Sequence, residues 1–269
     1  MNTLNKRTIA VIGVGNIGKI LLERLISSGV SGSHLIVCEI NEEKANKAAL
    51  DFGVETRTIS DLHLLDVSLI LLCVGPKAVL PTIKELTNHL KPDQTLVSFA
   101  AAVPISEIVK VAPVGVKVVR IMPNAPSLTG KGMNPVCFSE RTDQETRDLI
   151  FELLNCLGET LEIPDNLMNS AVGLSGAAIR SVLPTMEGMV RAGIDAGFSE
   201  EQSRILVSQS FLGVAALVKE GKLPIQELKK LTPMETLTEP LVDQIFYDAT
   251  AGANEKINAL QQKILTENR

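Results

Sequence analysis

Through the first 162 residues, short apolar runs alternate with stretches in which apolar positions return every three or four residues. The runs at 8–13, 34–38, 68–74, 95–99, 117–122 and 135–139 are rich in Val, Ile and Leu and carry almost no polar face. Strands that are apolar on both sides belong to parallel sheets covered by helices above and below. The intervening helical periods fall at 16–28, 41–52, 77–89 and 143–157. This alternation predicts an α/β fold with a doubly wound sheet.

After Ile163-Pro164-Asp165 the texture changes. Strand-like runs stop, and helical periods cover 166–196, 199–220, 225–230 and 239–266. The stretch 173–197 is apolar nearly all round, with Leu174, Ile179, Val182, Leu183, Met186 and Val190. A helix without a polar face is buried inside its own domain or against a second copy. Few residues remain to cover it, so the expectation is an intertwined helical dimer. The predicted domains are 1–162, a nucleotide-binding unit, and 163–269, an all-α substrate and dimerisation unit.

Bulk composition narrows the partners. Hydrophobic residues make up 45% and charged residues 21% of the chain, enough apolar material for a sizeable core. The net charge of −5 offers no attraction to nucleic acid or anionic lipid. No apolar stretch reaches the roughly 18 residues needed to span a bilayer, and the start of the chain lacks signal-peptide character. A cytoplasmic location is expected. Cys38, Cys73, Cys137 and Cys156 lie far apart and read as buried free thiols. His34, His63 and His89 show no metal-ligand spacing, so no metal is expected.

The first apolar run leads directly into Gly13-Val14-Gly15-Asn16-Ile17-Gly18 at the start of a helical period. In a strand-turn-helix of this kind the first glycine makes the tight turn. The second lets the backbone approach a pyrophosphate, and the third allows helix and strand to pack closely. The helix start then offers free N–H groups and a partial positive charge to phosphate, here from Asn16, Ile17 and Gly18. This is the Rossmann arrangement. Glu39 ends the second run at a spacing that suits an acid on the adenosine ribose. A carboxylate there repels a 2′-phosphate, which favours NAD, with NADP possible as the alternative. Val74, Gly75 and Pro76 end another strand and are expected to line the nicotinamide half of the crevice.

Together these motifs resemble the pyrroline-5-carboxylate reductases, NAD(P)H enzymes that reduce a cyclic imine to proline. The likeness runs from end to end. Val74-Gly75-Pro76 stands where the family has VKP, and Ser98-Phe99-Ala100-Ala101-Ala102 where it has SxxAG. Arg120-Ile121-Met122-Pro123-Asn124-Ala125-Pro126 is close to RxMPNTP, and Gly130-Lys131-Gly132-Met133 follows it. Met168 and Ala171-Val172-Gly173-Leu174-Ser175-Gly176 are similar to the start of the TALSG helix, which Glu187 and Ala196-Gly197 extend. The resemblance implies a Rossmann domain followed by an all-α dimerisation domain, assembled as a homodimer or higher homo-oligomer. It also implies that Ala100, Pro123 and Asn124 lie beside the nicotinamide, that Asn124 and Thr236 are catalytic, and that Ser175, Gly176 and Thr236 meet a small-molecule imine. Arg180 and Glu235, which depart from the family, are candidate contacts to a carboxylate and a basic group of a different imine. Taken alone, Met-Pro-Asn-Ala-Pro reads equally well as an ordinary strand-to-loop turn.

Two segments depart from the family pattern. SGSGPAY becomes Ser175-Gly176-Ala177-Ala178-Ile179-Arg180-Ser181, and TPGGTT becomes Thr232-Pro233-Met234-Glu235-Thr236-Leu237. The second spells a capping box with Pro at the first helical position. Were Glu235 to face a substrate carboxylate instead, like charges about 4 Å apart would cost on the order of 4 kcal/mol at an effective dielectric near 20. Three functions are therefore weighed: reduction of pyrroline-5-carboxylate, reduction of another imine, and cofactor sensing without catalysis.

Overall fold

The computed structural model describes residues 3–64, 66–221, 223–232, 234 and 236–268. They form two compact units, Met1–Gly176 with Ala253–Arg269, and Ala177–Gly252.

The first unit is built on eight strands. In chain order it contains β1 (Thr8–Ile12), α1 (Asn16–Ser27), β2 (Leu35–Cys38), α2 (Glu42–Phe52), β3 (Glu55–Thr56), β4 (Val67–Leu72), α3 (Pro76–Leu86), β5 (Thr95–Ser98), α4 (Ile105–Val111), β6 (Lys117–Ile121), β7 (Gly132–Phe138), α5 (Gln144–Asn155), β8 (Gly158–Glu162) and α6 (Met168–Ala171). The sheet order is β3-β2-β1-β4-β5-β6-β7-β8. Strands β1 to β6 run parallel, β7 is antiparallel to β6, and β8 is parallel to β7. The order reverses between β1 and β4, which makes the carboxyl ends of those two strands the switch-point crevice.

Alternate residues of each strand serve different cores, which is why the runs lack a polar face. Ile9, Val11, Leu69, Leu71, Val97 and Val119 point to one layer, with Leu21, Leu22 and Leu25 of α1 and Leu153 of α5. Ala10, Ile12, Ile70, Leu72, Leu96 and Val118 point to the other, with Val79 and Ile83 of α3 and Ile108 of α4.

Three elements differ from the sequence expectation. β3 is only two residues long, and β8 is a largely exposed edge strand, Gly-Glu-Thr-Leu-Glu, so neither writes an apolar run. β7 turns back because only a short 3-10 turn, Ala125–Thr129, separates it from β6, too little for the crossover that a parallel pair requires. The compact units part at 176/177, and the end of the chain rejoins the first unit. Apolar packing explains this. Met168 is fully buried beside Met122 and Cys137, while Ile264, with Ile257 and Leu260, fills the layer of α3 and α4.

The second unit holds α7 (Ala178–Asp195), α8 (Glu200–Glu220), α9 (Ile225–Lys229) and the first part of α10 (Glu239–Glu267). Helices α7 and α8 touch closely where a Cβ on Gly193 would lie 2.6 Å from Ser203 Oγ. A capping box of Ser199 and Gln202 starts α8. Yet no residue of α7 is buried, and Leu183, Met189, Ile205 and Leu212 lie exposed. The apolar surface expected of this segment is present and uncovered within one chain. Among the described residues no helix is long and apolar enough to cross a membrane.

Candidate cofactor and substrate site

At the end of β1 the chain turns through Gly13 at φ +90°, and Gly13 N donates to Cys38 O at 2.8 Å. A side chain there would press on Cys73 O at 3.1 Å. Gly18 is tighter still, since its Cβ would sit 2.2 Å from Gly13 O. Gly15 differs from both, because nothing lies within 4 Å of the Cβ it lacks. It is exposed and forms the N-cap of α1 without any side-chain cap. The first bond of the helix runs from Lys19 N to Gly15 O at 3.0 Å, so the amides of Asn16, Ile17 and Gly18 precede the ladder. The first turn of α1 has no acidic residue. Two glycines are thus demanded by packing, and the third leaves open space before an uncapped helix. That cradle fits a pyrophosphate.

Glu39 stands at the end of β2 with both carboxylate oxygens engaged. Oε2 accepts Val14 N at 2.8 Å and Oε1 accepts Asn41 N at 3.0 Å. Each oxygen keeps a lone pair for a further donor. The acid was expected to face a ribose; in the structure it anchors the glycine loop. Ile40 beside it is fully exposed. Across the switch point, Gly75 is the uncapped N-cap of α3 and Pro76 its first residue, with Val74 half-buried behind them. A Cβ on Gly75 would also meet open space.

After β5, Ala100 is buried and its N–H donates to Ser98 Oγ at 3.4 Å. Ala102 lies at φ +63°, where the family pattern has glycine. After β6, Pro123 is half-buried and Asn124 is 9% exposed. The Asn124 amide is in use at both ends, because Oδ1 accepts Met133 N at 3.0 Å and Nδ2 donates to Ser175 O at 3.0 Å. Ser175 and Gly176 lie in a π-helical turn, Val172–Ala177, a form that recurs at functional sites. Ser175 Oγ donates to Ala171 O at 2.7 Å.

The other substrate expectations fall in the second unit or outside the described residues. Arg180 is exposed in the first turn of α7 and has no ion-pair partner among the described residues. Thr236 lines a cavity of about 450 Å³ with Gln226, Thr232, Met234 and Lys229, whose Nζ contacts Glu239 Oε2 at 2.8 Å. Pro233 and Glu235 lie outside the described residues, so the capping box expected there has no structural description.

The cysteines are free, and their chemistry is quiet. Burial pushes the Cys73 thiol up, and burial together with the Asp165 carboxylate pushes Cys137 up to about 12. Neither is a thiolate at neutral pH. Among the described residues no group of three His, Cys, Asp or Glu side chains suits a metal ion. One cluster was missed from the sequence. Arg120 is almost wholly buried in β6 and donates to Asp165 Oδ1 at 2.8 Å and Asn169 Oδ1 at 3.1 Å. A cation inside the apolar run Lys-Val-Val-Arg-Ile was the available signal.

Comparison with known proteins agrees with this geometry. Residues 8–102 match the family described as NADP oxidoreductase coenzyme F420-dependent, and residues 165–245 match the family described as pyrroline-5-carboxylate reductase dimerisation. The pyrroline-5-carboxylate reductase of Corynebacterium melassecola is 31% identical over 81% of this chain and 82% of its own length. That of Methanosarcina acetivorans is 23% identical over 97% of this chain and all of its own length. The crystal structure of Plasmodium falciparum pyrroline carboxylate reductase with NADP bound superposes with a TM-score of 0.83 at 20% identity, covering 96% of this chain and 99% of that one. A Rossmann unit with an uncapped glycine loop, a Met-Pro-Asn wall and an all-helical second unit therefore meet in one chain, which belongs to the pyrroline-5-carboxylate reductase family.

Proposed function

We propose that this protein reduces 1-pyrroline-5-carboxylate to proline, with a nicotinamide dinucleotide held over the glycine loop. The observation that carries the reading is the pairing of an open, uncapped helix start at Gly15 with the rigid wall Met122-Pro123-Asn124, both at the carboxyl ends of strands of one sheet. A reduced nicotinamide, when bound, supplies the hydride that turns C=N into CH–NH. The chain's own task is positioning, because hydride transfer needs donor and acceptor carbons about 3–3.5 Å apart and aligned.

In this reading the amides of Asn16, Ile17 and Gly18 hold the pyrophosphate and Glu39 holds the adenosine ribose. Val74, Gly75, Pro76, Ala100 and Pro123 border the nicotinamide. Asn124 acts by fixing Met133 and Ser175, whose backbones its amide holds. A cyclic imine carries its proton as an iminium near neutral pH, which removes the need for a strong acid beside it. Ser175, Gly176, Arg180, Glu235 and Thr236 are the proposed substrate contacts. NADH is favoured over NADPH because Glu39 is fixed in place, and a 2′-phosphate about 4 Å from it would meet repulsion of about 4 kcal/mol at an effective dielectric near 20. The exposed helices of the second unit are proposed to close against another copy, giving at least a homodimer.

The test is direct. Purified protein with NADH and pyrroline-5-carboxylate should oxidise the cofactor and accumulate proline, with NADPH the poorer donor. Turnover of a different cyclic imine alone would move the assignment to that substrate, as the altered 232–237 loop allows. Dinucleotide binding with no turnover of any imine would leave a sensor rather than an enzyme.

A further inference from the structure

Arg120 and Cys137 are register partners across β6 and β7, so their side chains leave the same face of the sheet. Both meet Asp165 there. Arg120 Nη1 and Cys137 Sγ donate to Asp165 Oδ1 at 2.8 and 3.4 Å, and Ile105 N donates to Oδ2 at 3.0 Å. One carboxylate thereby ties together β6, β7 and the start of α4. Arg120 Nη2 continues to Asn169 Oδ1, and Asn169 Nδ2 donates to Asn258 Oδ1 at 2.9 Å and Gln261 Oε1 at 2.7 Å on α10.

These contacts frame the proposed reaction site. Residues 99–104 lead from β5 to Ile105, and Met122-Pro123-Asn124 follows Arg120-Ile121 without a break. The segment 168–177 is pinned twice, by Asn169 on Arg120 and by Ser175 on Asn124, the second pin lying within the π turn. A buried ion pair adds little net stability over well-packed apolar residues. Stability alone therefore gives no reason for a cation buried between Val119 and Ile121 in the interior of β6. The left-handed backbone at Ala102, a conformation that persists only where its surroundings over-determine it, lies just before the Ile105–Asp165 bond.

We infer that Asp165 is a positioning residue for the proposed reduction. It acts through Arg120 and the backbone of Ile105 to set the two loops, 99–104 and 122–124, at the carboxyl ends of β5 and β6. This rests on the imine reductase reading, in which a displacement of about 1 Å at the reacting carbons costs on the order of a hundredfold in rate.

The test compares the parent with Asp165→Asn and Asp165→Glu. In folded Asp165→Asn, kcat should fall by about tenfold or more while KM for NADH stays within about twofold. The kinetic isotope effect with 4-deuterated NADH should rise as hydride transfer becomes slow, and Asp165→Glu should recover part of the rate. Amide exchange should accelerate in 99–105, 122–125 and 169–176 but not in 13–18. If Asp165→Asn does not fold, Arg120→Lys, which keeps the charge and loses the fork, should give the same pattern. A folded variant with kcat within about twofold of the parent, or with exchange unchanged in those loops, overturns the inference. A parent that turns over no imine defeats the reductase reading instead, and the exchange data still decide what Asp165 orders.

Discussion

The carboxylate of Glu39 accepts the backbone N–H of Val14 at 2.8 Å, so the acid at the end of β2 and the glycine loop after β1 form one rigid unit. Its second oxygen is held by Asn41 N. The remaining lone pairs therefore face outward in a fixed direction, which suits the paired hydroxyls of a ribose.

Glu39→Gln should weaken NADH more than NADPH. The amide loses the charge that strengthens the ribose bonds and turns an N–H toward one of the two backbone donors, at a cost of about 1.5–3 kcal/mol. That corresponds to roughly ten- to a hundredfold in Kd. Calorimetric titration of both dinucleotides checks it, and a preference for NADH that survives the change would remove Glu39 from the account.

The glycines predict a split between folding and binding. Gly15→Ala places its methyl in open space at φ −77°, which alanine accepts, so the thermal midpoint should hold while dinucleotide binding is lost. Gly18→Ala drives a methyl to 2.2 Å from Gly13 O and should lower the midpoint as well. Thermal scans at matched protein concentration, with and without NADH, separate the two.

Ala102 occupies the left-handed region at φ +63° and is fully buried. Ala102→Gly should stay within about 1 kcal/mol of the parent, because relief of strain offsets the lost methyl. Ala102→Val should cost about 2 kcal/mol or more, from strain and overpacking together. Denaturant unfolding of the two variants decides between this backbone account and simple side-chain packing.

The buried thiols predict alkaline sensitivity. Burial, with Asp61 and Glu85 nearby, pushes Cys38 up to about 12, Cys137 lies equally high, and Cys73 is raised by burial alone. Below the ordinary thiol value of roughly 8.5, both folded and unfolded chains keep these protons and nothing changes. Above it the unfolded chain releases protons that the folded one retains, so stability falls as pH rises toward about 12. Each thiol removes at most about 1.4 kcal/mol per pH unit. Unfolding midpoints from neutral to alkaline pH should drop, and a Cys38→Ala, Cys73→Ala, Cys137→Ala variant should drop less.

How much of this was legible follows from what each feature depends on. The strands β1, β2, β4, β5, β6 and β7 could be read because burial on both faces of the sheet fills each with a mostly apolar run. β8 could not, since an edge strand such as Gly-Glu-Thr-Leu-Glu satisfies one side with solvent. The glycine loop and Glu39 were legible because strand-turn-helix spacing is local. The Val14–Glu39 bond was hidden, as was the meeting of Arg120, Cys137 and Asp165, which depends on antiparallel register between strands joined by a turn. The π turn at Val172–Ala177 inserts within a continuous helical period and leaves no mark on it. The return of Ile264 to the first unit likewise left no local signal, because it is a tertiary event.

The most direct measurement is the fate of the transferred hydrogen. With NADH deuterated at the reactive carbon and pyrroline-5-carboxylate as acceptor, proline should gain one deuterium on the former imine carbon, and Gly15→Ala should abolish the transfer. Proline formed without label, or label transfer undiminished by Gly15→Ala, would contradict a reduction carried out over this glycine loop.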